Sequence, residues 1–215
     1  MVHAQPSAAP RAPDPMLARA TKPTASPAQA MSRPGERASQ PSRRAESAWV
    51  RAAQRGSAEA LEALFRAHWS RAHRAAYLIV HDAAAAEDIA QEAFLSALRA
   101  LDRFDRRRPF GPWLHRIVVN RAIDYARARA LRSEVRAEVE PAGPAGDGAA
   151  PYSDALTSAL GTLSPEHRAV IVMRYLLELT PGEIGRALDL PRGTVNSRLR
   201  RGLDALGALL DEDAR

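Results

Sequence analysis

Asn196, Ser197, Arg200, Arg201 and Asp204 lie near the C-terminus of the sequence, spaced so that they share one side of a helix. A helix face with side chains of these types suits recognition of nucleic acid in the major groove. Arginine pairs bidentately with guanine and asparagine with adenine, while a serine hydroxyl serves bases or phosphates. Val195, Leu199, Gly202, Leu203 and Leu206 fall on the opposite side, so an apolar stripe would pin the helix and leave the polar face outward. A solvated basic face is the plain alternative. The residues just before favour recognition. Thr180-Pro181-Gly182-Glu183 has the pattern of a capping box and starts a short helix carrying Ile184 and Leu188. "DLPRG" then turns the chain into the last helix. In a helix-turn-helix the N-terminal part of the second helix meets the base edges.

A second set of residues has a different chemistry. "DRFDRRRPFGPWLHRIVVNRAIDYARARALR" interleaves Phe104, Phe110, Trp113 and Tyr125 with many arginines. Rings among cations suit unpaired nucleic acid, because bases stack on the rings while arginines follow the backbone. Trp113 and Tyr125 lie beside an apolar stripe and read as core. Phe110 sits in a loop bounded by Pro and Gly, where a core role is less secure. Nothing points to catalysis or to a metal or cofactor. The chain has no cysteine, which excludes disulfides, thiolate metal sites and cysteine nucleophiles. His68, His73 and His81 are scattered along one arginine-rich helix and its end without ligand spacing.

The elements that would position these residues are helical throughout. Leu61, Leu64, Phe65, Ala72, Ala76 and Ile79 form a helical stripe preceded by Ser57 in an N-cap position. Asp82 could cap the next helix, lined by Ile89, Ala93, Ala97 and Leu101 with Phe94 and Leu98 beside them. A third helix has Pro112 in its first turn and buries Leu114, Ile117, Val118, Ala122 and Tyr125. Residues 1–45 are rich in Pro, Ala, Ser and Arg without helical period, and read as a disordered tail. Residues 136–151 read as a flexible linker. That leaves an all-α chain of two small domains, 46–135 and 152–210. The second opens with Ala155, Leu156, Ala159, Leu160 and Leu163, then Ser164-Pro165 capping a helix with Val170, Met173 and Leu177.

Composition agrees with this division. Hydrophobic residues make up 46% of the chain but aromatics only 5%, so the core must come from Ala, Leu, Val and Ile, a mixture that favours helix. The net charge of +6 is carried almost wholly by arginine, Lys22 being the only lysine, and suits a polyanionic partner. No apolar run reaches membrane-spanning length and no secretory signal is apparent. A cytoplasmic protein without membrane insertion is expected.

"AEDIAQEAFLSALRALDRFD", "RPFGPWLHRIVVNRAIDYARAR" and "LSPEHRAVIVMRYLLELTPGEIGRALDLPRGTVNSRLRRGLDAL" together resemble a bacterial RNA polymerase sigma factor of the extracytoplasmic-function (ECF) type. The resemblance implies a region 2 domain that binds core polymerase and the −10 element, and a region 4 domain that reads the −35 duplex. It implies that Asp88, Gln91 and Glu92 contact the coiled coil of the polymerase β′ subunit. It assigns Phe110 to a base-capturing loop, with Asn120 and Asp124 on the exposed face of the adjoining helix. On the recognition helix it marks Arg192, Thr194, Asn196, Ser197, Arg200 and Arg201. The implied partners are core RNA polymerase (β′ and β subunits), promoter DNA and an anti-sigma factor. The competing expectation is a stand-alone, dimeric helix-turn-helix regulator bound to a palindromic operator.

Overall fold

The computed structural model describes residues 41–136 and 154–213. The expected linker beyond Arg136, which is the last residue of a helix, and the expected tail as far as residue 40 lie outside the described residues. Among the described residues every regular element is helical.

Helix α1 (Arg43–Ala53) starts inside the stretch assigned to the tail, with the Ser42 hydroxyl accepting the Ala45 N–H. Its apolar side, Val50 and Ala53 with Trp49 beside them, packs on the next helix. That face is short and flanked by arginines, so it is faint against the tail's composition. Helix α2 (Ala58–Val80) is capped by Ser57 and α3 (Ala83–Ala100) by Asp82, as their sequences predict. A 3₁₀ turn (Leu101–Arg103) leads into an arginine loop, and α4 (Phe110–Arg136) follows.

These four helices pack closely because small residues face the crossings. Ala72, Ala75, Ala76, Ala86, Ala90, Ala93 and Ala97 are all fully buried. Leu64, Ile79, Leu114, Val118 and Val119 fill the remaining volume. Two residues of the expected stripes lie outside this core: Phe65, 41% exposed, stacks on Trp69 at 4.8 Å, and Leu98 is also exposed.

The second half comprises α5 (Asp154–Thr162), α6 (Pro165–Ile171), α7 (Pro181–Leu188) and α8 (Arg192–Asp213). Ser164 caps α6, with Pro165 in the first turn. Beyond Ile171 the helix widens into a π-type turn over Val172–Leu176, which keeps both Met173 and Leu177 buried. Glu178, at φ 58°, then reverses the chain.

The two halves, expected as separate modules, share one continuous core. The Arg168 guanidinium donates to the Ile79 carbonyl at 2.7 Å, satisfying a backbone acceptor in the last turn of α2. Arg127 of α4 meets Glu166 of α6 at 2.7 Å. His81, the left-handed C-cap of α2, lies at this seam, close to Gly161 of α5.

Candidate nucleic-acid and polymerase interfaces

Helix α8 presents the expected polar face. Arg192, Asn196, Arg200 and Arg201 are exposed, and Thr194 and Ser197 are half-buried. The Ser197 hydroxyl donates to the Thr194 carbonyl at 3.0 Å, leaving its oxygen free to accept. Val195, Leu199, Gly202 and Leu206 anchor the helix, whereas Leu203, expected in the stripe, is 39% exposed. The turn before α8 is tightly specified. Thr180 and Glu183 form a reciprocal capping box at the start of α7. Hydrogen bonds from Thr180 hold the Glu183 carboxyl below the usual range. Asp189 adopts a left-handed conformation and the Leu190 N–H returns to the Gly185 carbonyl at 2.8 Å. A Cβ at Gly185 would lie 2.6 Å from the Leu190 carbonyl oxygen, so this turn requires glycine there.

The arginine loop and α4 form the second surface. Asn120 is half-buried and Asp124 exposed; one helical turn apart, they share a face of α4. Phe110 departs from expectation. It is the first residue of α4, not a loop residue, and is only 2% exposed. Its ring packs against Phe104 at 5.9 Å, Trp113 at 5.6 Å and His68 at 5.4 Å. In this arrangement the ring is part of the core and presents no free face to a base. The Pro and Gly that flank it mark a helix start, and this is why it read as a loop. Trp113 and Tyr125 are half-buried against the core, as expected.

Glu46 of α1 secures the start of α4. Its carboxylate accepts the N–H groups of Phe110 at 3.2 Å and Gly111 at 3.1 Å, and lies 3.0 Å from His68 Nε2. Burial pushes the Glu46 carboxyl up, but His68 and the two N–H groups outweigh it and hold the group below its ordinary value. Gly111 admits this arrangement, since a Cβ there would meet the His68 ring at 2.9 Å. Gln54 donates to the Leu101 and Phe104 carbonyls at 2.9 and 3.2 Å, tying the other end of α1 to the same loop. His115 is buried beside His68, with neither ring nitrogen bonded among the described residues, and burial lowers its pKa to about 3.

On α3, Asp88 and Gln91 are exposed, Gln91 donating to Glu87 at 3.1 Å. Glu92 is half-buried and less free than expected. It bridges Arg121 of α4 at 3.5 Å and Arg99 at 3.6 Å, and Arg121 also donates to Ser96 at 2.7 Å.

Comparison with known proteins places the chain in a family. Residues 64–132 match the Sigma-70 region 2 family and residues 159–207 the Sigma-70 region 4 family. ECF RNA polymerase sigma factor SigW of Bacillus subtilis (strain 168) is 32% identical over 174 residues, covering 73% of this chain and 92% of the relative. The chain belongs to the ECF RNA polymerase sigma factors. SigM of Mycobacterium tuberculosis (strain ATCC 25618 / H37Rv), another ECF sigma factor, is 34% identical over 157 residues, or 72% of this chain and 79% of the relative. Among solved structures, CnrH in complex with the cytosolic domain of CnrY superposes with a TM-score of 0.60 at 31% identity. That match covers 79% of this chain and 99% of the other.

Within this sigma factor, α7 and α8 as far as residue 207 fall in the region 4 match; α3 and the loop preceding α4 fall in the region 2 match. Neither match includes α1, although Glu46 and Gln54 of α1 hold the arginine loop in place. Glu46 gives little sign of this in sequence: it is a lone acid among arginines, 64 positions from its N–H donor.

Proposed function

We propose that this sigma factor binds core RNA polymerase, directs it to −35 and −10 promoter elements, and assists strand opening. In this reading Asp88 and Gln91 on α3 contact the β′ coiled coil. Glu92 contributes charge to the same face while tethering α3 to α4. Arg192, Thr194, Asn196, Ser197, Arg200 and Arg201 read the −35 duplex, with the β subunit as a further contact of the same half. Asn120 and Asp124 line the path of the unpaired −10 strand. Phe110 serves that path from beneath, as the packed foundation of the loop.

The observation that carries the reading is the order of the two matches, region 2 over residues 64–132 and region 4 over 159–207, in one chain. A stand-alone regulator would have no use for the first half. The role is non-enzymatic, is exercised in the cytoplasm with the polymerase, and uses no cofactor. No helix among the described residues is long and apolar enough to cross a membrane. CnrH, at 31% identity, has been solved with the cytosolic domain of CnrY, and we propose that a dedicated anti-sigma protein likewise sequesters this chain.

Run-off transcription with purified core polymerase tests the proposal. Core enzyme alone should be unselective, and adding this chain should produce discrete, asymmetric start sites. A symmetric footprint by the chain alone, with no change in polymerase selectivity, would favour the dimeric regulator.

A further inference from the structure

We propose that α1 is a rigid brace for promoter opening, with Glu46 and Gln54 as positioning residues that fix the separation of the two ends of the 105–109 loop. The inference rests on the promoter-opening role above. It gives a function to an element that neither family match includes.

The downstream end of the loop is fixed because α4 cannot cap itself. A helix leaves the N–H groups of its N-cap and first three residues without intrahelical partners. In α4 those places are held by Pro109, Phe110, Gly111 and Pro112. The two prolines have no N–H, and Pro109 has no side-chain atom that could accept one. The remaining two N–H groups go to Glu46, at 3.2 and 3.1 Å. The start of α4 is thus capped wholly from α1. His68 Nε2, 3.0 Å from the carboxylate, holds it in this orientation.

The upstream end is fixed by Gln54, the C-cap of α1. Its amide donates to the carbonyls of Leu101 and Phe104 at 2.9 and 3.2 Å, and Phe104 immediately precedes the loop. Glu46 and Gln54 are eight positions apart, which is about 12 Å along a helix axis. Val50 and Ala53, buried in the core, keep α1 itself in place. Between its ends the loop closes on Asp105. The Asp105 carboxylate accepts the Arg107 N–H and its carbonyl accepts the Arg108 N–H, both at 3.0 Å.

A loop held at both ends and folded in the middle is ordered before its partner arrives, and such preorganisation lowers the cost of the step that uses it. That step is opening, not first binding, because the unpaired strand exists only once the duplex parts. The test uses the full chain with core polymerase on the promoter fragment of a start site mapped by run-off transcription. Permanganate reactivity gives the opening rate as holoenzyme concentration is varied. Glu46→Gln keeps the shape but replaces one accepting oxygen with a donor. It should slow the limiting rate about ten-fold and leave the half-saturating concentration unchanged. Gln54→Met, which removes the donors and keeps the volume, should do the same from the other end. In free Glu46→Gln, hydrogen exchange at Phe110 and Gly111 should quicken while the amides of α2 stay protected, showing that the fold survives. Ile79→Val and Ile79→Ala weaken the core at the far end of α2. Whichever of them matches the urea midpoint of Glu46→Gln should open at the wild-type rate.

Wild-type opening rates in Glu46→Gln and Gln54→Met would overturn the brace. So would an equal slowing in the matched Ile79 variant, which would make the loss one of general stability. A raised half-saturating concentration with an unchanged limiting rate would move Glu46 to the binding step and overturn its positioning role. Wild-type holoenzyme that yields no permanganate-reactive thymines would instead refute the promoter-opening reading, and the brace with it.

Discussion

Arg200 and Arg201 are exposed on the outward side of α8, held there by Val195 and Leu199 beneath. Losing a base contact costs about 1–3 kcal/mol at one position, whereas losing a phosphate contact weakens binding uniformly and lowers the salt slope by about one. Arg200→Ala with Arg201→Ala should therefore weaken −35 duplex binding and leave capture of a pre-melted −10 bubble near normal. Anisotropy on the two templates separates these outcomes, and equal loss on both would remove the duplex role. Phe110 poses the opposite problem. Only 2% exposed among Phe104, Trp113 and His68, it is placed to act through the fold. Phe110→Ala should cost about 3–5 kcal/mol, as for other large-to-small core changes. Phe110→Leu should cost much less. Urea denaturation gives both values directly. If Phe110→Ala were as stable as wild type but defective in opening, the ring would have a direct role that this packing does not give it.

At the level of elements, the turn between α7 and α8 makes the sharpest prediction. A methyl group at Gly185 would approach the Leu190 carbonyl oxygen at 2.6 Å, and a backbone neighbour cannot swing aside. Gly185→Ala should displace α8 relative to α7 and reduce −35 binding at least ten-fold, while α1–α4 keep their packing. Duplex binding measured beside tryptophan fluorescence tests this, since Trp49, Trp69 and Trp113 all lie in the first half. A Gly185→Ala protein with wild-type duplex affinity would show that the turn relaxes freely. This turn was legible in sequence, as were the caps at Ser57, Asp82, Ser164 and Thr180, because capping depends on neighbours within one helical turn. The outward set on α8 was legible for the same reason. What was not legible depends on distant residues. Glu46 reaching the α4 N-terminus, and Gln54 bonding the Leu101 and Phe104 carbonyls, leave no periodic trace in sequence. Phe110 misled because Pro and Gly mark helix starts as readily as loops. The exposure of Phe65 and Leu203 shows that a stripe read at 100° per residue tells the buried side only to within one position.

Two histidines, the buried His115 and the half-buried His81, tie the stability of the whole molecule to pH. Burial is the main cause that lowers His81 to a pKa of about 4, followed by the nearby Arg168 charge, with Arg129 adding to it. Burial also lowers His115 to about 3, helped by His68 and Arg71. Both rings are therefore neutral in the folded chain at neutral pH. In the unfolded chain they take up protons below about pH 6.5. Because the unfolded state binds more protons in this interval, stability is fully present above about pH 6.5 and falls as the solution is acidified. The loss continues until the folded pKa is reached, near pH 4 for His81 and near pH 3 for His115. Each histidine contributes a slope of at most about 1.4 kcal/mol per pH unit. Glu46, whose pKa is lowered from 4.5, joins the same acid loss only below about that value. The two histidines act in different places. His115 lies within the four-helix half, and His81 at the seam where Arg168 bonds the Ile79 carbonyl. Urea midpoints between pH 4.5 and 7 should accordingly fall with acid in wild type. His115→Leu should remove about half of the slope. His81→Asn, which tolerates the left-handed backbone at this position, should flatten most of the rest and leave the seam closed under acid. Both variants keeping the full wild-type slope would mean that the acid sensitivity lies elsewhere in the molecule.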